Sequence, residues 1–340
     1  MSIKTKHLMP YIIGAFILFF NSNITFAQFV GAEFSYRVHK TVLVDSITPK
    51  GMKPMESLAP PADPLAPIKF KLTLNLYFNC DQEDLFQEQP ITIHEHLAQH
   101  QTAELNLKLD SISSTKTYLN VACETANEQC LKTATYSAII ELDKLEGGYD
   151  ITWGTCCWDM SIKNLDNLKM QGLAMIVHIP FPADQSSNSS PVFSAAPQVL
   201  TCPQRILNIN SSAQDSDGDQ LTYKLIHPFS YEQENNFGKN KQKELFPGQN
   251  THTPLVVGRP PFKKLAYAQG YDANTPLGTS QLTLNKESGT MDLKPMESGK
   301  YLIGVSVLEY RNSILLGETQ RVFIIEVVTD TDSEQIKNNI

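Results

Sequence analysis

The sequence predicts an all-β protein built as two tandem antiparallel β-sandwich domains, and three observations carry that reading. Apolar residues recur at every second position in the clearest run, where Phe70, Leu72, Leu74, Leu76 and Phe78 define one face of a half-buried strand. No stretch sustains a helical period over three turns, and strands without alternating helices favour antiparallel sandwiches over a parallel α/β sheet. A composition break at 180–191, Pro-Phe-Pro-Ala-Asp-Gln-Ser-Ser-Asn-Ser-Ser-Pro, separates two apolar halves.

Residues 1–27 have the layout of a cleavable signal peptide. Lys4 and Lys6 are followed by an apolar run over 8–20 and a polar stretch ending in Ala27, so cleavage is expected between Ala27 and Gln28. The apolar run is shorter than the ~20 residues that cross a bilayer. No later run reaches that length and no Cys stands at the cleavage point. The expectation is an exported protein, extracellular, cell-surface or periplasmic, with no transmembrane span after cleavage and no lipid anchor.

The expected N-terminal domain is 28–183. It opens on a strand at 29–38, and a proline-dense stretch at 49–67 reads as a surface loop because proline removes ladder donors. Further strands are expected at 68–78, 117–122, 133–142, 149–154 and 173–179. The stretch 83–100 has room for one short helix. The expected C-terminal domain is 184–330, with strands near 199–209, 221–226, 281–285, 301–308 and 322–328 and an amide-rich loop at 231–250. Residues 331–340 read as a polar tail.

Without residues 1–27 the chain has 26 basic and 36 acidic side chains, a net charge of −10. So acidic a surface, with no basic cluster, is a poor ligand for a phosphate backbone, and nucleic acid is not an expected partner. Six cysteines, Cys80, Cys123, Cys130, Cys156, Cys157 and Cys202, lie beyond the leader, and an even number in an exported chain favours disulfides. Cys156 and Cys157 face opposite sides of a strand and should serve different partners. The expected pairing closes a short loop from Cys123 to Cys130 and divides Cys156 and Cys157 between Cys80 and Cys202.

Asp215-Ser-Asp217-Gly-Asp219 is the strongest candidate for chemistry. Hard oxygen donors this close repel unless neutralised, which makes Ca²⁺ the candidate ligand, against an acidic turn closed by Asx hydrogen bonds. It is not an EF-hand loop, since Gln220 stands at the sharp-turn glycine and Ile226 at the bidentate glutamate. His94, His96 and His100 form a second set; His94 and His96 would share one strand face, although they lack the spacing of a helical zinc motif. Trp153, Trp158 and Tyr149 flank the paired cysteines, where core packing is the commoner use and a sugar-stacking platform the other. No nucleophile elbow or phosphate-binding glycine loop is present, so no catalytic residue and no organic cofactor are assigned.

Seven phrases occur in one order along nearly the whole mature chain: Val30-Gly-Ala-Glu-Phe-Ser-Tyr36, Leu74-Asn-Leu-Tyr-Phe-Asn-Cys80, Gly147-Gly-Tyr-Asp-Ile-Thr-Trp-Gly-Thr-Cys-Cys157, Asn188-Ser-Ser-Pro-Val-Phe193, Asp215-Ser-Asp-Gly-Asp-Gln-Leu-Thr-Tyr223, Asn274-Thr-Pro-Leu-Gly278 and Glu309-Tyr-Arg-Asn312. Together they resemble a family of exported Bacteroidota proteins described as gliding-motility-associated or as Ig- or cadherin-like surface proteins. The resemblance implies that the second sandwich is Ig-like or cadherin-like, with Asp215, Asp217 and Asp219 at its acidic motif. It departs from the family at Ser187, where relatives tend to carry a Cys.

The function these readings favour is non-enzymatic: adhesion or envelope assembly through a protein or glycan partner at the cell surface. Two rivals belong to other classes, a carbohydrate-binding module or glycan-active enzyme, and a subunit of an envelope secretion or motility machine.

Overall fold

The computed structural model describes residues 29–39, 66–80, 85–98, 100–118, 128–156, 158, 161–168, 171–181, 187–232, 253–279 and 281–328. The expected signal peptide, nearly all of 49–67, Cys123, Cys157, most of the 231–250 loop and the tail lie outside them.

Every regular element among the described residues is a strand. The first half contributes β1 (Phe29–Val38), β2 (Ile68–Asn79), β3 (Glu88–Glu95), β4 (Gln101–Tyr118), β5 (Glu128–Leu142), β6 (Tyr149–Cys156) and β7 (Gln171–Ile179). Short strands follow: β8 (Val192–Phe193), β9 (Leu200–Thr201), β10 (Leu207–Asn210), β11 (Ala213–Gln214), β12 (Gln220–Leu225), β13 (Phe229–Glu232), β14 (Thr253–Leu255) and β15 (Lys263–Lys264). The chain closes with β16 (Gln281–Leu284), β17 (Thr290–Lys294) and a long hairpin of β18 (Gly299–Arg311) and β19 (Ile314–Val327).

Fourteen strands form one sheet in the order β12-β18-β19-β1-β2-β5-β4-β3-β6-β7-β13-β15, with β14 on β6 and β9 on β19. Smaller sheets are β10-β17-β16 and β11-β8. All the pairings are antiparallel except that of β9 with β19. The large sheet folds over on itself, so that β7 packs across β1 and β19. Its facing surfaces enclose a sandwich core in which Phe34, Leu74, Trp153 and Met175 meet Leu302, Val322 and Ile324.

The expected boundary at 184 falls between β7 and β8, yet strands from both sides of it share this sheet. β1 explains why. Residues 29–36 are all buried, so β1 needs a hydrogen-bonded neighbour on each edge and cover on each face. It lies between β2 and β19, with Ala32 opposite Leu76 on one side and Val322 on the other. A Cβ at Gly31 would stand 2.3 Å from the carbonyl oxygen of Val322, so only glycine admits this approach.

Four expectations about local structure are corrected. The stretch 83–100 holds β3 in place of a helix, because Ile91 and Ile93 alternate into the core while the strand bonds to β4 and β6. Of the strand placed at 117–122, Thr117 and Tyr118 are the end of β4, which begins sixteen residues earlier at Gln101, and 119–122 lie outside the described residues. The run 199–209 is split into β9 and β10, and they join different sheets. Cys130 bonds to Cys80, not to Cys123, with the two Cα atoms 5.4 Å apart. The β2–β5 register dictates that partner: Asn79 lies opposite Leu131, so the next residue of β2 meets the preceding residue of β5. Cys156 and Cys202 are also disulfide-bonded.

Candidate functional site

The turn from Asp215 to Asp219 folds through Gly218, whose φ of +83° is costly for any residue with a Cβ. Asp215 Oδ1 accepts the backbone N–H groups of Asp217 and Asp219, both at 2.9 Å, an Asx arrangement that gathers the three side chains. β12 starts immediately after and pairs with β18, Leu221 opposite Glu309. That pairing brings a fourth carboxylate to the turn. One oxygen atom from each of Asp215, Asp217, Asp219 and Glu309 lies within 4.8 Å of the others.

These acids differ in how they are balanced. Asp219 is clamped by Arg311, whose Nε and Nη2 donate to its two oxygens at 2.8 and 2.5 Å, and that clamp holds Asp219 below the usual carboxylate range. Asp217 Oδ2 accepts the Ser189 N–H at 2.6 Å. Glu309 is fully buried and its Oε2 accepts a hydrogen bond from Asn188 Nδ2 at 3.0 Å. Its Oε1 and Asp215 Oδ2 are buried with no hydrogen-bond donor. Burial first, then the charges of Asp215 and Asp219, push Glu309 up to about 9. Four carboxylates against one guanidinium leave a charge of −3 when all are ionised, and the cluster relieves it in one of two ways. A proton on Glu309 makes it a donor toward Asp219; a cation held between Glu309 and Asp215 uses the two free oxygens directly.

The cluster is a junction between distant parts of the chain. Asn188 reaches Arg311, Glu309 and the hydroxyl of Tyr36 on β1, whose pKa is itself raised by burial. Ser190 closes the joint: its Oγ accepts the Tyr36 N–H at 2.9 Å and donates to the Tyr36 carbonyl at 3.1 Å. Ser190→Ala leaves the buried Tyr36 N–H without a partner, and it is expected to cost about 1–3 kcal/mol, read as a lower urea midpoint at unchanged slope.

The expected metal residues Asp215, Asp217 and Asp219 are thus brought together, and Glu309 completes them. Strand phase was the signal for it: Val305, Val307 and Glu309 alternate into the interior of β18. The histidine set is not brought together. His94 is buried and its Nε2 pairs with Thr92 Oγ1 at 2.9 Å, while His100 is exposed and outside any such group. His96 instead meets Asp150 and His178. Trp153, Trp158 and Tyr149 are at most 7% exposed, and Trp153 Nε1 donates to Gln89 Oε1, so they pack the core and offer no sugar platform. No family model, curated protein or solved structure matches the chain.

Proposed function

We propose that this is an exported, non-enzymatic surface protein that serves adhesion or envelope assembly, and that Ca²⁺ held by Asp215, Asp217, Asp219 and Glu309 locks its fold. The observation that carries the reading is the pair of donorless buried oxygens, Glu309 Oε1 and Asp215 Oδ2, within one four-carboxylate cluster. Calcium takes six to eight oxygen ligands at about 2.3–2.6 Å, and its extracellular modules bind in the millimolar range or just below it. A cation there would brace β1, residues 188–190, the 215–219 turn and β18 against each other. A protein that must transmit load outside the cell gains from such a brace, and its action is binding without turnover.

The glycan reading has less support. The tryptophans are buried, and one cavity among the described residues, of about 200 Å³ and lined by Gln269, Tyr271, Thr279, Glu297 and Tyr301, is smaller than the roughly 300–1,000 Å³ usual for ligand sites. Deletion of the gene followed by surface-attachment and fractionation assays tests the proposal. The expected result is surface-exposed protein and a loss of attachment that the wild type restores and Asp217→Ala restores poorly. A cytoplasmic protein, unchanged attachment, or sugar release from glycans by the purified chain would overturn it.

A further inference from the structure

Three neighbouring strands converge on a second cluster. Asp150 on β6 lies directly opposite His178 on β7, and His96 follows the end of β3, held there by its N–H to the Gly148 carbonyl at 3.0 Å. The two imidazoles approach the same carboxylate, His96 Nδ1 at 2.8 Å from Asp150 Oδ2 and His178 Nδ1 at 2.8 Å from Oδ1. Their ring centroids are 4.4 Å apart.

We propose that His96, Asp150 and His178 form a three-ligand site for a transition-metal dication of the zinc class. Imidazole nitrogen with carboxylate oxygen is a donor set that suits Zn²⁺, Cu²⁺ or Ni²⁺ and not Ca²⁺ or Mg²⁺. One ligand atom from each residue lies within 4.8 Å of the other two. Ligands bound at about 2.0–2.2 Å stand at most roughly 4.4 Å apart, so small side-chain rotations seat the ion without backbone movement. Asp150 is 11% exposed and sits on strands bonded on both edges, which fixes the anchor; His96 is 45% exposed and supplies the adjustable ligand. Three protein ligands at a partly open surface leave a coordination position for water or for a donor from a partner. Burial pushes Asp150 up, but the hydrogen bonds from His178 and His96 outweigh it and keep the carboxylate ionised. This inference does not depend on the calcium reading.

The test is calorimetric titration of the metal-stripped, tag-free exported chain with Zn²⁺ at pH 7.5, with saturating Ca²⁺ present to occupy any hard-cation site. Expected is one equivalent of zinc, weakened at least about tenfold in both His96→Ala and His178→Ala and unchanged in Asp217→Ala. His96 is exposed enough that its variant keeps the fold, and circular dichroism verifies this. Absence of zinc binding in the wild type, or zinc binding undiminished from the wild type in either histidine variant, overturns the proposal.

Discussion

Arg321→Ala is expected to destabilise the protein by about 3–5 kcal/mol, among the largest effects of any single substitution in this chain. Arg321 on β19 is fully buried directly opposite Glu33 on β1, and its Nε donates to Glu33 Oε2 at 2.7 Å. Its Nη2 donates to the Ala195 carbonyl at 2.7 Å, and the guanidinium lies 3.9 Å from the Phe193 ring centroid. Glu33 is tied onward: Asn75 on β2 donates to its Oε1, and Thr135 on β5 donates to Asn75. The network therefore crosses four adjacent strands at the place where the two halves of the chain share a sheet. Removing the arginine strands an ionised carboxylate in the interior, which is the costly event. Replacing both charges, as in Glu33→Leu with Arg321→Met, should recover most of the loss, because the pair repays little beyond its own desolvation. Chemical denaturation of the single and double variants checks both statements, and a loss under about 1 kcal/mol for Arg321→Ala contradicts the first.

The second large effect is at Glu309. Its folded pKa is raised to about 9 from an ordinary 4.5, so between those values the folded protein holds a proton that the unfolded chain has released. Stability without metal therefore falls as pH rises through that window, by up to about 1.4 kcal/mol per pH unit, and levels off above it. The groups facing Glu309 are Asp215, Asp217, Asp219 and Arg311 with Asn188 and Tyr36, and among them Arg311 is the cation. Glu309→Gln keeps the shape and carries no charge. Its metal-free stability should exceed the wild type's at pH 8.5 and lose most of the slope between pH 6 and 9, measured by thermal unfolding in chelator. A merely structural carboxylate would show the opposite sign, with Gln the weaker protein at high pH.

The legible part of this fold is where burial is one-sided. In β2, Phe70, Leu72, Leu74, Leu76 and Phe78 are all at most 1% exposed, as their alternation requires. β4 was half-read for the converse reason: residues 110–116 are exposed and, apart from Ile112, polar, and pairing of 111–118 with β5 maintains the strand without a buried face over 110–116. The β1–β19 pairing was not legible at all, because periodicity shows which face is inward but not which strand lies alongside, here almost 290 residues away. The same limit governs the sites. The three aspartates are local and could be seen in the sequence; Glu309 comes from a remote strand and needed its phase. His178 and Asp150 sit singly in apolar runs, and the β6–β7 register alone makes them neighbours. The Cys80–Cys130 bridge follows register in the same way.

Calorimetric titration of the tag-free chain from Gln28 onward with Ca²⁺ at pH 7.5, run beside Glu309→Gln, tests the central claim most directly. The account predicts one calcium equivalent for the wild type, with proton release that appears as a heat dependent on buffer ionisation, and no calcium heat for the folded Gln variant. No binding by the wild type, or undiminished binding by Glu309→Gln, contradicts it.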